Sequence, residues 1–240
     1  TWGDQFHRFF PPSAGSSTSE MAPTQELVDS YIMTNGKFIT DPASGYDANN
    51  PYVDRDPRLT KTVVYDQYVW ENPDGTTQII YIKPGTDPDP RRLNEYNVAS
   101  ARSLTGFYWR KYFDPNHTAN VVSGLNQILI RYAEILMDYA EAKHSLGEMD
   151  ATVWDATIKQ LRQRVGFTDP GALDYPGNAD MTNIIRNERR AEFAMEALRV
   201  DDIRRWRIAE DVLNGYAHGA RYGDPAVDNG FLRIQERQFD

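Results

Sequence analysis

The sequence predicts a mainly α-helical protein of the α+β class, in which helix pairs pack with an irregular, loop-rich region that contains a small β-hairpin. Two observations support this prediction. Apolar residues recur at helical spacing from about Leu125 onward. Before residue 120, Pro, Gly, Asn and Asp interrupt the chain repeatedly, which is typical of loops. We therefore expect a loop-rich region over residues 1–120 and a helical region over residues 121–240, within one structural domain.

Composition argues against several classes of function. The 240 residues are 40% hydrophobic, which is enough for a sizeable core. The formal net charge of -9 argues against binding to nucleic acid or to anionic lipid, because both need clustered cationic side chains. The chain contains no Cys, which excludes disulfides, thiolate nucleophiles and thiolate metal sites. No apolar run approaches the ~18 residues that a membrane-spanning helix needs.

The first part of the chain is predicted to be loop with one short helix. Residues 1–23 contain Pro11-Pro12 and a Ser/Gly run, and are predicted to be an extended loop. A helix then begins with Thr24 as its N-cap and stops at Asn35-Gly36. Residues 40–58 are rich in Asp, Asn and Pro, so we expect loop there again.

A β-hairpin is predicted next. Residues 60–70 and 76–82 are rich in β-branched and aromatic side chains, as strands are. The segment Asn72-Pro73-Asp74-Gly75 between them has the composition of a tight turn. Residues 84–120 are predicted to be loop with an embedded cluster of aromatic side chains.

The second part of the chain is predicted to hold four helices, arranged as two helix-turn-helix pairs. Small Ala positions and the pair Leu146-Gly147 make these pairs similar to tetratricopeptide units, although no fixed period repeats. Residues 216–240 are expected to be mostly irregular. The predicted helices run from about Leu125 to Leu146, from Val153 to Val165 before Gly166, from an Asp180 cap to Leu198, and from an Asp201-Asp202 cap to Leu213.

Three carboxylates share one face of a predicted helix, because Glu188, Glu192 and Glu196 are spaced four residues apart. Such a row can supply paired catalytic carboxylates or metal ligands. It can also form an ion-pair network with neighbouring arginines, and we favour this interpretation because the cations are too numerous for a metal site. The arginines considered are Arg186, Arg189, Arg190, Arg199, Arg204 and Arg205.

Other sites for chemistry find little support in the sequence. The four histidines are scattered, and no pair has the i, i+4 spacing of a metal site. A Gly-x-Ser-x-Gly nucleophile motif and a Gly-x-x-x-x-Gly-Lys phosphate loop are both lacking. The hard oxygens of Asp47, Asn49, Asn50, Asp54 and Asp56 suit calcium, but their spacing is not that of an EF-hand, so a solvated loop is the better interpretation. We expect no cofactor and no bound metal.

Six segments, taken in order, resemble the SusD/RagB family. The strongest is residues 130–142, where an Arg-Tyr-Ala-Glu opening is followed by Tyr-Ala-Glu-Ala, as in the family's best-known signature. The other segments are Pro23-Thr24-Gln25-Glu26-Leu27, Arg55-Asp56-Pro57-Arg58-Leu59, Thr105-Gly106-Phe107 with Arg110-Lys111-Tyr112, Arg162-Gln163-Arg164-Val165-Gly166, and the Glu/Arg-rich stretch from Glu188 to Trp206.

The resemblance implies a lipid-anchored protein on the outer surface of Bacteroidetes. Such a protein binds a glycan or a related polymeric nutrient without cleaving it, and sits on a SusC-like, TonB-dependent transporter of the outer membrane. The resemblance also implies that Arg131, Glu134 and Glu141 pair a helix with its neighbours. The family's amino-terminal half, with its lipidated Cys, has no counterpart here, so we expect the chain to be a fragment of a longer protein.

Aromatic side chains on loops are the predicted ligand-binding residues. The apolar face of a sugar ring stacks on an aromatic ring, while the sugar hydroxyls form hydrogen bonds with nearby polar groups. The alternative for each aromatic is a place in the core, which is what we expect for the helical Trp154 and Trp206. The predicted ligand-binding residues are Trp2, Phe9, Phe10, Tyr46, Tyr52, Trp70 and Tyr81.

Two other functions stay open at this point. The helices would serve only as a scaffold that contacts the transporter if the ligand site lay in the missing half. A glycoside hydrolase needs two carboxylates about 5 to 10 Å apart, and the 35 acidic residues do not exclude such a pair by number alone. The family resemblance favours glycan capture over both.

Overall fold

The structure is a computed structural model that describes residues 8–16, 21–97, 102–116, 124–126, 128–177 and 179–237. It is mostly helical with small antiparallel sheets, which confirms the predicted fold class. The chain divides into two compact units, each built from separate stretches of sequence. The first unit comprises Thr1–Val28, Thr60–Asn126 and Val200–Asp240, and the second comprises Asp29–Leu59 and Gln127–Arg199. The division into a loop-rich region over residues 1–120 and a helical region over residues 121–240, within one structural domain, stays a prediction.

The first unit contains the three described sheets, each a two-stranded antiparallel ladder. Its core gathers large apolar side chains from the strands and from the aromatic cluster that the sequence placed between residues 84 and 120. The strands are β1 (Val63–Val64), which pairs with β4 (Tyr108–Trp109), β2 (Tyr68–Glu71), which pairs with β3 (Thr77–Ile80), and β5 (Gly215–His218), which pairs with β6 (Arg233–Arg237).

The predicted hairpin is confirmed as the β2–β3 pair, in the register Tyr68↔Ile80 to Glu71↔Thr77. Gly75 closes the turn with a φ of +81°, a conformation that favours glycine. The start of the predicted first strand is wrong, because residues 58–62 form the helical turn α2 (Arg58–Thr62). The Asp56 carboxylate explains this difference, since it accepts a hydrogen bond of 2.9 Å from the Arg58 backbone N–H and thereby caps the turn.

The β5–β6 pair contradicts the expectation that residues 216–240 are mostly irregular. The Gly215↔Arg237 and His218↔Arg233 partners define an antiparallel ladder with an irregularity between Ala217 and His218. Strand β6 reads Arg-Ile-Gln-Glu-Arg and none of its residues is fully buried. Sequence patterning missed it because a strand without a buried face lacks the apolar alternation that identifies strands.

The second unit is helical, and its core lies between α3 (Tyr132–Ser145), α4 (Ala151–Ala156), α5 (Ile158–Val165) and α7 (Met181–Glu192). Met137, Trp154, Ile158 and Ile185 are almost fully buried there, which confirms the core assignment of Trp154. Trp206, assigned to the core as well, belongs to the first unit and is only partly buried. The helices of the second unit are α3 (Tyr132–Ser145), α4 (Ala151–Ala156), α5 (Ile158–Val165), α6 (Pro170–Leu173) and α7 (Met181–Glu192).

All four predicted helices have boundaries that differ from the sequence prediction. The third ends at Glu192 rather than at Leu198, and Met195 and Ala197 beyond it have a positive φ that a helix does not allow. Helix α3 begins at Tyr132 rather than near Leu125, because Arg131 at its N-cap is extended. The second predicted helix is divided into α4 and α5 at Thr157, whose hydroxyl donates to the Val153 carbonyl at 2.6 Å. The last predicted helix is divided into α8 (Arg199–Trp206) and α9 (Ala209–Leu213), around a positive φ at Arg207.

The capping residues predicted at three other helix termini are confirmed. The Asp180 side chain caps α7 by accepting from the Asn183 backbone N–H, and Gly166 ends α5 with a φ of +103°. The short helix after Thr24 is α1 (Gln25–Ser30), which begins as predicted but ends at Ser30 rather than at Asn35-Gly36. None of the described helices is long and apolar enough to cross a membrane.

Candidate functional site

Two of the predicted ligand-binding aromatics lie inside the core of the first unit. Trp70 is 0% exposed and Phe10 is 3% exposed. Both pack edge-on against Phe113, with ring centroids 4.6 Å and 5.2 Å away respectively. The Arg110 guanidinium covers the Trp70 ring at 4.4 Å. In this arrangement neither ring presents a face on which a sugar could stack.

Phe9 and Tyr81 of the first unit are half-buried. Tyr81 directly follows β3, and the two residues beyond it are held by the Asp66 carboxylate, which accepts from the backbone N–H groups of Ile82 at 2.7 Å and Lys83 at 2.9 Å. Trp2 lies outside the residues that the structure describes.

The remaining two predicted residues, Tyr46 and Tyr52, share one loop of the second unit and are both half-buried. The Arg55 guanidinium lies 5.4 Å from the centroid of the Tyr46 ring. Asp47 and Asn50, between the two tyrosines, are exposed. The loop thus combines two half-buried tyrosines with exposed carboxylate and amide groups.

Arg55 fixes the conformation of this loop. Its buried guanidinium donates to the Tyr31 carbonyl at 3.0 Å and 2.7 Å, and to the Pro51 carbonyl at 2.6 Å. The backbone is tied down at the same point, since the Asp56 N–H donates to the Ile32 carbonyl at 2.7 Å. These bonds join the carboxyl-terminal end of the loop to the segment that follows α1.

Asp47 organises the exposed tip of the loop. Its carboxylate accepts from the Asn49 backbone N–H at 2.8 Å and from the Asn50 side-chain amide at 2.7 Å. These bonds, the one from the backbone N–H of Asn49 foremost, lower the pKa of Asp47, so the tip carries a negative charge at neutral pH. A charged acceptor beside an aromatic ring suits the hydroxyls and the apolar face of a sugar.

The three carboxylates form an ion-pair network, as predicted, although only Glu188 and Glu192 lie on α7 and Glu196 lies beyond its end. Glu188 lies 2.7 Å from Arg58 and 3.0 Å from Arg162. Glu192 contacts Arg58 at 2.9 Å, Arg131 and Arg164 at 2.5 Å each, and Glu196 lies 2.7 Å from Arg131. The arginines in these pairs come from α2, from the start of α3 and from α5, which are not the sequence neighbours considered above. Arg189 of α7 pairs with Asp138 of α3 at 2.6 Å.

The network keeps its carboxylates charged. Burial by itself would raise the pKa of Glu192, but the guanidinium groups of Arg58 and Arg131 outweigh burial and lower that pKa to about 2. The pKa of Glu188 is likewise lowered, by Arg58 and Arg162 against the effect of burial. A carboxyl group that stays ionised and ion-paired is unsuited to serve as a general acid.

A second cluster of polar side chains was not found from the sequence. His218 Nδ1 lies 3.0 Å from Glu26 Oε1, and His218 Nε2 lies 3.2 Å from Asp228 Oδ2. Arg233 approaches the same Asp228 at 2.6 Å, and these hydrogen bonds, that from Arg233 foremost, lower the pKa of Asp228 to about 2. No motif indicates this cluster, because α1 supplies Glu26 and β5 supplies His218. Among the described residues, no group of three or more His, Asp or Glu side chains is arranged to hold a metal ion.

A groove of about 500 Å³ runs along the second unit beside α3. Its lining combines four aliphatic side chains and one tyrosine with two guanidinium groups and one amide. The residues that line it are Arg131, Tyr132, Ala133, Leu136, Ala156, Gln160, Leu161 and Arg164.

Comparison with known proteins shows the family of this chain. The family model described as the SusD family matches residues 2–239. The chain therefore belongs to the SusD family, which confirms the resemblance seen in its motifs. No curated protein matches the chain.

Solved structures of the family resemble the chain over most of its length. A SusD-like carbohydrate binding protein from Bacteroides fragilis is 30% identical, with a TM-score of 0.80, over 98% of this chain and 47% of that protein. A SusD-like protein from Bacteroides fragilis is 28% identical, with a TM-score of 0.66, over 91% of this chain and 42% of that protein. A SusD superfamily protein from Bacteroides vulgatus, at 21% identity and a TM-score of 0.52, shares the fold over 85% of this chain and 37% of its own. The chain thus spans about half the length of the Bacteroides fragilis proteins.

Proposed function

We propose that this chain binds a glycan or a related polymeric nutrient outside the cell and breaks no bond in it. Membership of the SusD family supports this, as does 30% identity to a SusD-like carbohydrate binding protein. Within the family, the expected destination of the ligand is a SusC-like, TonB-dependent transporter of the outer membrane, and the expected attachment is a lipid anchor.

The observation that carries the proposal is the loop with Tyr46 and Tyr52. Arg55 holds this loop in place, and the half-buried Tyr46 and Tyr52 flank the exposed Asp47 carboxylate. Sugar recognition needs this combination of an aromatic face and fixed polar groups. The buried and ion-paired state of Glu188 and Glu192 supports a role without catalysis.

Calorimetry on a glycan found by array screening tests the proposal. Tyr46→Ala and Tyr52→Ala should each weaken binding at least about 10-fold, which corresponds to about 1.4 kcal/mol. Tyr216→Ala is the matched control, because Tyr216 is also half-buried beneath an arginine, with Arg233 4.5 Å from its ring, but lies in the β5–β6 pair.

Two outcomes would contradict the proposal. Full binding by both loop variants would exclude the loop as the site, and release of reducing ends from the bound glycan would show an enzyme. A chain that binds no glycan on the array would instead favour the scaffold function, in which the ligand site lies elsewhere in a longer protein.

A further inference from the structure

His218 lies between two carboxylates that contact opposite nitrogens of its imidazole ring. Its Nδ1 is 3.0 Å from Glu26 Oε1, and its Nε2 is 3.2 Å from Asp228 Oδ2. The three side chains are between 28% and 30% exposed, so the two contacts are partly shielded from water. We call Glu26, His218 and Asp228 the histidine bridge.

The histidine bridge joins three separate stretches of the first unit. Glu26 belongs to α1, His218 is the last residue of β5, and Asp228 lies in the segment that leads to β6. The backbone takes part as well, because the His218 N–H donates to Glu26 Oε1 at 2.9 Å. Strand β6 has no fully buried residue. Polar contacts such as the bridge therefore matter more to the β5–β6 pair than to strands that have a buried face.

The two contacts of the ring require two ring protons. An ionised carboxylate accepts hydrogen bonds but donates none. Imidazolium donates from both nitrogens, whereas neutral imidazole donates from one and carries a lone pair on the other. When His218 is neutral, its lone pair therefore faces a carboxylate oxygen of Glu26 or Asp228, and one of the two contacts becomes repulsive.

Both carboxylates stay ionised when the ring changes charge. Asp228 is bound by Arg233, whose Nε and Nη2 donate at 2.6 Å and 3.0 Å, and this is the main reason that the pKa of Asp228 is lowered to about 2. Burial by itself would raise the pKa of Glu26, but hydrogen bonds from its own backbone N–H, from Thr24 and from His218 outweigh burial and lower that pKa. The imidazole is thus the one member of the bridge whose side-chain type changes charge between pH 5 and 8.

Two arginines of β6 contact the carboxylates of the bridge. Arg237 Nη2 lies 3.9 Å from Glu26 Oε1, and Arg233 binds Asp228. The Phe231 ring lies edge-on beside the imidazole, with the ring centroids 6.5 Å apart. The groups that face the two ring nitrogens directly are therefore both anionic. The charged or titratable side chains of β5 and β6 around the bridge are Tyr216, Arg233, Glu236 and Arg237.

The histidine bridge is unsuited to catalysis and to metal binding. A histidine that activates a nucleophile needs one nitrogen that faces a hydroxyl or a thiol, whereas both nitrogens of His218 face carboxylates. These carboxylates lie at opposite ends of the ring and do not converge with it on one point. Within the described part of the chain, no group of three or more His, Asp or Glu side chains is arranged to hold a metal ion. The arrangement is suited instead to respond to pH.

We propose that the histidine bridge is a pH-dependent clasp between α1 and the β5–β6 pair. Below about pH 6 the imidazolium donates to both carboxylates, and the clasp is closed. Above about pH 8 one ring proton has passed to water, and the clasp is open at Glu26 or at Asp228. Its contribution to local stability is therefore present in acid and is lost as the pH rises. The clasp does not depend on the proposed glycan site, because none of its residues belongs to the loop of Tyr46 and Tyr52.

Amide hydrogen exchange measured by mass spectrometry tests the clasp at pH 5.5 and pH 8, on either side of the range in which histidine changes charge. Exchange is corrected for its intrinsic dependence on pH. The protection of the peptide that spans β5 should then fall at least about 5-fold from the lower to the higher pH, as expected for the loss of one hydrogen bond. Helix α5 supplies the internal reference, because no histidine lies on it.

Two variants show whether His218 causes the change. His218→Gln has no ring that titrates, so its protection at β5 should not differ between the two pH values. His144→Gln is the matched control, because His144 is also half-buried but contacts the Thr182 hydroxyl at 2.8 Å instead of a carboxylate. This control should keep the full change of the wild-type chain.

Three results would overturn the proposal. Equal protection of β5 at the two pH values in the wild-type chain would show that the bridge does not respond to pH, and this result does not require any variant to fold. A change that persists in His218→Gln would assign the pH response to another group. Greater protection at pH 8 than at pH 5.5 would show that the neutral ring holds the strands better than imidazolium does.

Discussion

Arg58 and Glu188 form a buried ion pair between distant parts of the sequence, with 2.7 Å between Arg58 Nη1 and Glu188 Oε1. Both side chains are at least nine-tenths shielded from solvent. Charges in such a place need partners, because their lost hydration is otherwise uncompensated. Glu192, one helical turn further along α7, extends the same network to Arg131 and Arg164.

Removing the charge of Glu192 should destabilise the protein strongly. Glu192→Gln leaves three guanidinium groups without the carboxylate that they share, so we expect the free energy of unfolding to fall by about 3 kcal/mol. Urea denaturation followed by circular dichroism measures this. The control is Glu148→Gln, whose exposed pair with Lys143 should contribute no more than about 0.5 kcal/mol. Equal effects of the two variants would contradict a structural role for the network.

The same residue should make stability depend on acid pH. Folding lowers the pKa of Glu192 from 4.5 to about 2. Its contribution is therefore fully present above about pH 4.5 and is lost as the pH falls toward 2, and the shift corresponds to about 3 kcal/mol. The difference in unfolding free energy between wild type and Glu192→Gln should thus narrow from pH 6 to pH 2.5. A difference that stays constant over this range would show that Glu192 titrates normally in the folded protein.

Gly36 should be far less tolerant of a side chain than Gly45, although both have a positive φ, of +83° and +76°. A Cβ on Gly36 would lie 2.4 Å from the Gly171 carbonyl oxygen and 2.6 Å from the Ala172 Cα, both of which are backbone atoms. A Cβ on Gly45 meets nothing within 4 Å. Gly45→Ala should cost about 1 kcal/mol from backbone strain alone, and Gly36→Ala several times more. Similar melting temperatures for the two variants would contradict the close approach of residues 36 and 171.

Features that rest on neighbouring residues could be predicted from the sequence. The turn at Asn72–Gly75 places β2 against β3, and the Asp180 carboxylate caps α7, because both depend on side chains within a few positions. The ion-pair character of the Glu188 row also follows from its spacing. The arginine partners of this row could not be predicted in the same way. Arg58 is 134 residues from Glu192, and only the fold brings the two together.

The solvent exposure of individual apolar side chains could not be predicted from the sequence. Trp70 was predicted to bind ligand because it lies in the predicted hairpin, yet it is packed beneath Arg110 and against Phe113. Conversely, Tyr132 and Ile135 were assigned to a helical apolar pattern and lie on the uncovered side of α3. A helix with two apolar sides gives a continuous apolar pattern, and that pattern alone does not distinguish the covered side from the open one.

The position of Glu192 also has a consequence for how the second unit folds. Its three arginine partners lie 134, 61 and 28 residues earlier in the chain, so the carboxylate is satisfied only after three distant loops have closed. Helical proteins with mostly local contacts fold within microseconds to milliseconds, whereas non-local closure slows the search. The second unit should therefore refold more slowly than its helical content suggests, and its helices should acquire their final packing together rather than one after another.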